Sequence, residues 1–228
     1  MSESISGAIK RPTALSDSAA EQIRKAIIEG DFDLGEALPE AKLTKSLGIS
    51  KTPIREALSL LKKEGLVVTY PQRGAFVFSM TRDCIVQLCS FRYAMESVAM
   101  DMALDRARQQ LLEDMADNLR DMLEVYDTAD FKRFTALDTA FHDCLFHHAG
   151  NAYVSASYQM AASKVATLRT HLSQGNKRTD YVVEEHSAIL EALKNNQTRK
   201  AKSVLRRHIF RGVEVYEELI PASERKGN

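Results

Sequence analysis

The sequence predicts a mainly α-helical protein in two parts: three short helices closed by a β-hairpin, then an all-helical antiparallel bundle. Three observations carry this. Only 10 Gly and 5 Pro occur in 228 residues, too few for the turns of a loop-rich β-sandwich. Apolar residues recur at helical spacing through most of the chain. The period changes only between Leu66 and Ser79, where two β-rich runs flank Pro71-Gln72-Arg73-Gly74.

Residues 1–14 are polar and aperiodic and read as a flexible arm. From Asp17 to Glu29, Ala20, Ile23, Ile27 and Ile28 share one helix face, and Gly30 is a stop signal. Asp31 to Leu38 reads as a short linker. A second helix is expected from Pro39 to about Leu47, ended by Gly48. After the turn Ile49-Ser50-Lys51 a third helix follows, capped by Thr52 or Ser50, with Pro53 in its first turn, where a missing N–H costs little. Its buried face is Ile54, Ala57, Leu58 and Leu61, and Gly65 ends it. Leu66–Thr69 and Ala75–Ser79 then form the hairpin. Three short helices and a hairpin, with the second and third helices joined by a tight turn, are a winged helix-turn-helix.

From Thr81 onward the pattern stays helical, in six segments with breaks near residues 108, 128, 150, 177 and 196. The expected organisation is an arm (1–14), a winged helix-turn-helix (15–79), a helical bundle (82–220) and a tail (221–228). Met95, Met100 and Met102 read as core fillers, and Tyr93, Tyr153 and Tyr158 as packing residues.

Composition limits the function classes. Lys+Arg and Asp+Glu both number 31, so the net charge is zero, which excludes a globally basic nucleic-acid coat but not a local patch. No run of about 18 apolar residues is present, so no membrane span is expected. Met1 to Leu15 lacks the apolar core of a secretory signal. Cys84, Cys89 and Cys144 are odd in number and lack metal spacing, so they read as reduced thiols of a cytoplasmic protein.

One local patch stands out. Between Pro39 and Gly74 lie seven basic and three acidic residues, a net +4 on a neutral chain. Lys51, Thr52, Arg55 and Ser59 offer polar groups at the start of the third helix, as a recognition helix requires. Positive charge facing phosphates supplies non-specific affinity, and a donor such as Arg55 discriminates bases in the major groove. A solvated helix face beside a structural three-helix unit fits the same pattern.

The second part holds a candidate metal set. Asp138 and His142 are four residues apart and project from one helix face beside Phe134, Phe141 and Leu145. His186 and His208 lie eleven residues either side of Gln197, so a reversal there brings them level. The four could meet as a His₃Asp site for a divalent ion, zinc first, with nickel, manganese or iron as alternatives. The spacing also fits four hydrogen-bonded core or surface residues. Arg92, between Phe91 and Tyr93, and Arg169, after Val165-Ala166-Thr167-Leu168, are candidate clamps for a carboxylate. Their alternatives are a salt bridge to Glu96 and a snorkelling surface arginine. An open His₃Asp site could also activate water as a metal-dependent enzyme, but no general base has a compelling spacing, and Glu184 and Glu185 read as surface residues.

LGISKTPIREAL, LKKEGLV and QRGAFV resemble the winged helix-turn-helix of the GntR family of bacterial transcription regulators. FRYAMESVAM, FTALDTAFHDCLFHHAGN, EEHSAILEAL and RRHI resemble the FCD ligand-binding domain of its FadR subfamily. The resemblance implies a metabolite-responsive repressor or activator, a homodimer on a palindromic operator of double-stranded DNA, with no catalytic residue. It implies that Ser50, Lys51, Thr52 and Arg55 touch phosphates or bases, with Arg73 and Gly74 at the wing tip near the minor groove. Two positions depart from the family pattern: Ala41 stands where an arginine is common, beside Lys42, and Lys51 replaces another, without the planar fork of arginine. In the helical domain it implies that Asp138, His142, His186 and His208 hold a divalent metal whose open positions take a small organic acid, steadied by Arg92 and Arg169.

Overall fold

The computed structural model describes residues 15–126, 128, 130–173 and 179–219. The expected arm, the break near residue 177 and the tail lie outside the described residues. The described chain divides into two compact units, with the division at Phe78–Ser79 and residues 28–31 grouped with the second unit.

The first unit holds α1 (Leu15–Ile28), α2 (Glu40–Leu47), α3 (Lys51–Lys63), β1 (Val67–Tyr70) and β2 (Gly74–Val77). α2 ends where Gly48 takes the left-handed conformation, φ 66°, and its N–H returns to the Thr44 carbonyl at 3.0 Å. The turn into α3 is therefore tight. Ser50 is the N-cap of α3 by backbone conformation and makes no side-chain capping bond, which leaves its hydroxyl exposed. Ile54, Ala57, Leu58 and Leu61 are buried, as are Ile23 and Ile27 of α1 and Leu43 of α2. The hairpin pairs Val67 with Val77 and Tyr70 with Gly74, one residue displaced from the expected runs. Asp31–Leu38 is more than a linker. Leu38 N–H donates to Ala75 O at 2.8 Å and Val77 N–H to Glu36 O at 2.8 Å, so this segment covers the β2 edge.

The second unit is the helical bundle: α4 (Arg82–Tyr126), α5 (Phe131–Ala149), α6 (Ala152–Ser173), α7 (Thr179–Lys194) and α8 (Thr198–Leu219). The break expected near residue 108 is a single non-helical residue, Ala107 (φ −148°, ψ 44°), so α4 is two helical segments joined at a kink. Asp130 caps α5 by accepting from Arg133 N–H at 3.0 Å. α7 and α8 turn on Asn196 in the left-handed region, φ 58°, with Gln197 N–H bonded to Ala192 O at 2.8 Å. Met100, Leu111, Met115, Phe141, Tyr158 and Leu193 are fully buried in the shared core. Of the tyrosines expected to pack, Tyr158 stacks on Phe146 at 4.1 Å, whereas Tyr153 is 88% exposed. Its position on the outer face of α6 overrides its apolar character.

α5 and α6 join at Gly150, φ 62°, where an added Cβ would run into the Arg106 guanidinium. The backbone requires glycine, whereas the guanidinium, at the far end of a flexible side chain, can swing aside. Gly150→Ala is expected to destabilise the chain by about 1–2 kcal/mol. An unchanged urea midpoint would show that Arg106 and the turn relax freely.

Candidate metal centre and nucleic-acid interface

α5 sets Asp138 and His142 one turn apart on its buried face, and the α7–α8 pair brings His186 and His208 level with them. His142 Nε2 lies 3.2 Å from His208 Nε2 and 3.3 Å from His186 Nε2. Asp138 Oδ1 is 3.3 Å from His186 Nε2. One ligand atom from each of the four falls within 4.8 Å of the others. The spacing expectation is met in geometry.

Partners on the far side of the rings fix the tautomers. His142 Nδ1 faces Glu96 Oε2 at 2.7 Å, and its Nε2 faces Arg92 Nη2 at 2.8 Å. A guanidinium only donates, so Nε2 carries the lone pair and Nδ1 the proton given to Glu96. His208 Nδ1 faces Glu185 Oε2 at 3.2 Å, which likewise leaves its Nε2 a lone pair. The His142 Nε2 lone pair therefore accepts from Arg92, and an ion bound at that nitrogen would take the place of this donor. Asp138 Oδ1 is buried with no hydrogen-bond donor. Metal–ligand distances of about 2.1 Å put neighbouring ligand atoms roughly 3.0 Å apart in an octahedron and 3.4 Å in a tetrahedron. The 3.2–3.3 Å separations therefore suit one ion, while the 3.8 Å between His142 Nε2 and Asp138 Oδ1 would have to close on binding. The carboxylate behind each of His142 and His208 is the usual support of a ligating imidazole.

Electrostatics point the same way. Burial disfavours the imidazolium of His142 and, with Arg92 and Arg169 nearby, holds its pKa well below the ordinary value. Burial and then His208 do the same for His186, against a smaller opposing pull from Asp138. Both rings are thus neutral, the form that ligates. Burial alone would raise the Asp138 pKa, but the positive charge beside it, Arg169 foremost with Arg92 contributing less, outweighs it and holds the carboxyl below its ordinary value. Glu185 is held at about 2: hydrogen bonds from His208, Arg211 and Arg207 overcome its burial.

Arg92 and Arg169 are buried beside the cluster, not on the surface. Arg92 makes the salt bridge of its alternative reading, donating from Nε to Glu96 at 2.6 Å, and its Nη2 faces His142. Arg169 Nε lies 3.2 Å from Asp138 Oδ2, and its Nη1 donates to Thr139 at 3.2 Å. Both arginines, Asp138 and His208 line a cavity of about 340 Å³. Sequence reasoning missed the second role of Glu96 and misread Glu185, which is 4% exposed rather than on the surface. The partners of Glu185 are on the facing helix, His208 among them, so its neighbour His186 gave no signal.

In the first unit, Ser50, Lys51, Thr52 and Arg55 are exposed together at the start of α3. Arg55 does not wave freely: its Nε donates to both Glu40 oxygens at 2.9 and 3.0 Å, leaving the terminal nitrogens outward. Arg73, at the hairpin tip beside Gly74 (φ 92°), lies over Tyr70 and Phe76 at 5.6 and 5.5 Å. Lys42 sits 5.5 Å over Phe32 and 3.8 Å from Glu36. These residues form an exposed basic face with several donors unspent.

Comparison with known proteins gives two family matches: "Bacterial regulatory proteins, gntR family" over residues 15–77 and "FCD domain" over residues 87–211. The chain is 25% identical over 201 residues to the HTH-type transcriptional regulator YdhC of Bacillus subtilis (strain 168), covering 88% of this chain and 90% of that protein. It is also 25% identical over 179 residues to the gluconate operon transcriptional repressor of Bacillus licheniformis, covering 76% of this chain and 73% of that protein. Among solved structures, a GntR-type regulator from Rhodococcus sp. RHA1 superposes with a TM-score of 0.75 at 22% identity, covering 90% of this chain and 99% of that one.

Proposed function

The chain belongs to the GntR family and carries an FCD domain, and on that premise we propose that it is a regulator whose operator affinity responds to a small organic acid bound at a divalent metal in the helical unit. It is a DNA-binding transcription regulator, as its relatives are, and not an enzyme. The observation that carries the sensory half is the convergence of Asp138 Oδ1 with three histidine nitrogens inside a cavity that also holds two arginines.

In this reading Asp138, His142, His186 and His208 hold the ion, with zinc the first candidate and nickel, manganese or iron as alternatives. The ion would supply open positions for a carboxylate. Arg92 and Arg169 already balance Glu96 and Asp138 in charge, so a divalent ion leaves two positive charges buried, and an anion relieves them. The guanidinium forks orient that carboxylate. To act as an effector the acid must bind two arrangements of the protein with different affinity. A cytoplasmic homodimer on a palindromic operator completes the reading, since two winged units then meet two half-sites.

For the nucleic-acid half, Lys51, Thr52 and Arg55 enter the major groove. Ser50 and Lys42 meet phosphates, and Arg73 with Gly74 lies near the minor groove. The supporting geometry is their shared exposure on α3 and the hairpin tip. Selection of genomic DNA fragments by the purified protein tests this: one shared palindrome is expected, and no enrichment over Lys51→Ala/Arg55→Ala would refute it. Glu40 orients the fork of Arg55. Glu40→Ala is therefore expected to lower the ratio of operator to random-DNA affinity several-fold, since an untethered arginine still attracts phosphates. A ratio that stays constant in competition binding would remove that role.

A further inference from the structure

The cavity beside the cluster is chemically divided. One end carries Arg92, Asp138, Arg169 and His208. Much of the remaining wall is apolar, formed by Leu88, Cys89, Val165, Leu168, Val182 and Ile209. Of the other polar residues of the wall, Glu185 and Arg211 are engaged with each other, while Tyr181 and Glu214 are exposed. Glu185 Oε1 accepts from Arg207 at 3.1 Å and from Arg211 at 2.5 Å, and its Oε2 faces His208. The Arg211 guanidinium lies 4.5 Å over the Tyr181 ring. Its Nε lacks an acceptor, but one donor does not serve a chain of hydroxyls.

We propose that the effector is a monocarboxylic acid with a branched alkyl or aryl tail, rather than a polyhydroxylated sugar acid or a dicarboxylate. This rests on the metal-and-acid reading above and names the class of acid. A sugar acid would bury hydroxyls against Leu88, Val165, Leu168 and Val182 without partners, which is costly. A second carboxylate would meet Arg211 already flanked by Glu185 and Glu214, both acidic. An alkyl tail fits, gaining about fourfold in affinity per buried methylene.

The test uses four acids with the same 2-hydroxy-carboxylate head: lactate, 2-hydroxy-4-methylpentanoate, gluconate and 2-hydroxyglutarate. Each is titrated calorimetrically into the full zinc-loaded chain. The expected result is binding of lactate and at least tenfold tighter binding of 2-hydroxy-4-methylpentanoate, with the other two no tighter than lactate. Val182→Thr, nearly isosteric at a half-buried position, should weaken the branched acid several-fold and leave lactate unchanged. Gluconate or 2-hydroxyglutarate binding tighter than the branched acid overturns the tail assignment while the head-group reading stands. Binding by none of the four overturns the head-group reading, and the tail assignment with it.

Discussion

His186→Ala is expected to remove most of the metal-dependent stabilisation of the protein while leaving acid-free operator binding intact. His186 is fully buried, stacked on Phe141 at 3.9 Å, and its Nε2 faces both His142 and Asp138. Loss of a second-sphere partner costs about 10–100-fold in metal affinity, so loss of a ligand should cost more than about 100-fold. At a metal concentration of about 1,000 times Kd, the wild type gains about 4 kcal/mol. That is roughly 10 °C in melting temperature for a domain of this size. The alanine also leaves a cavity and lowers the baseline, so Asp138→Asn, which keeps the shape, is the companion variant. Both should keep no more than about a third of the zinc shift, since an about 100-fold weaker site at the same metal concentration gains only about 1.4 kcal/mol. A full zinc shift in either would remove that residue from the ligand set.

The second large effect is on DNA. Arg55→Ala should weaken operator binding by about 5- to 150-fold, the range for losing one specific base contact, about 1–3 kcal/mol. Lys51→Ala should weaken operator and random DNA alike and reduce the salt dependence by about one phosphate. The two variants separate reading from attraction. Equal losses on operator and random sequence for Arg55→Ala would make it a phosphate contact instead. Neither residue touches the core of the first unit, so melting temperatures should not move.

Much of this was legible because the deciding signals are local. Gly48 and Gly65 end α2 and α3 for backbone reasons visible in sequence, and the Asp138–His142 spacing puts both on one helix face. The pairing of His186 with His208 followed from symmetry about a turn of Asn and Gln residues, and Asn196 indeed takes the left-handed conformation there. What could not be read are partners distant along the chain. Glu96 reads as a salt-bridge mate of Arg92 one turn away, yet it also fixes the tautomer of His142 from 46 positions off. Glu185 reads as surface because nothing local announces Arg207, His208 and Arg211 from the facing helix. The pairing of Asp31–Leu38 with the hairpin was hidden because Ala37 makes a single bridge, too short for an alternating pattern. The kink at Ala107 has neither proline nor glycine, and nothing in the structure explains why it falls at that residue.

The central claim joins the two halves: metal and acid at the Asp138–His208 cluster control DNA affinity. Operator binding by the zinc-loaded protein, followed by fluorescence anisotropy across a titration with the tightest-binding acid, tests it most directly. The account predicts a change of at least about tenfold in affinity, the equivalent of about 1.4 kcal/mol of coupling, lost on chelation and in His186→Ala. An operator affinity that does not respond to the acid in the zinc-loaded wild type, or that responds equally in His186→Ala, would contradict it.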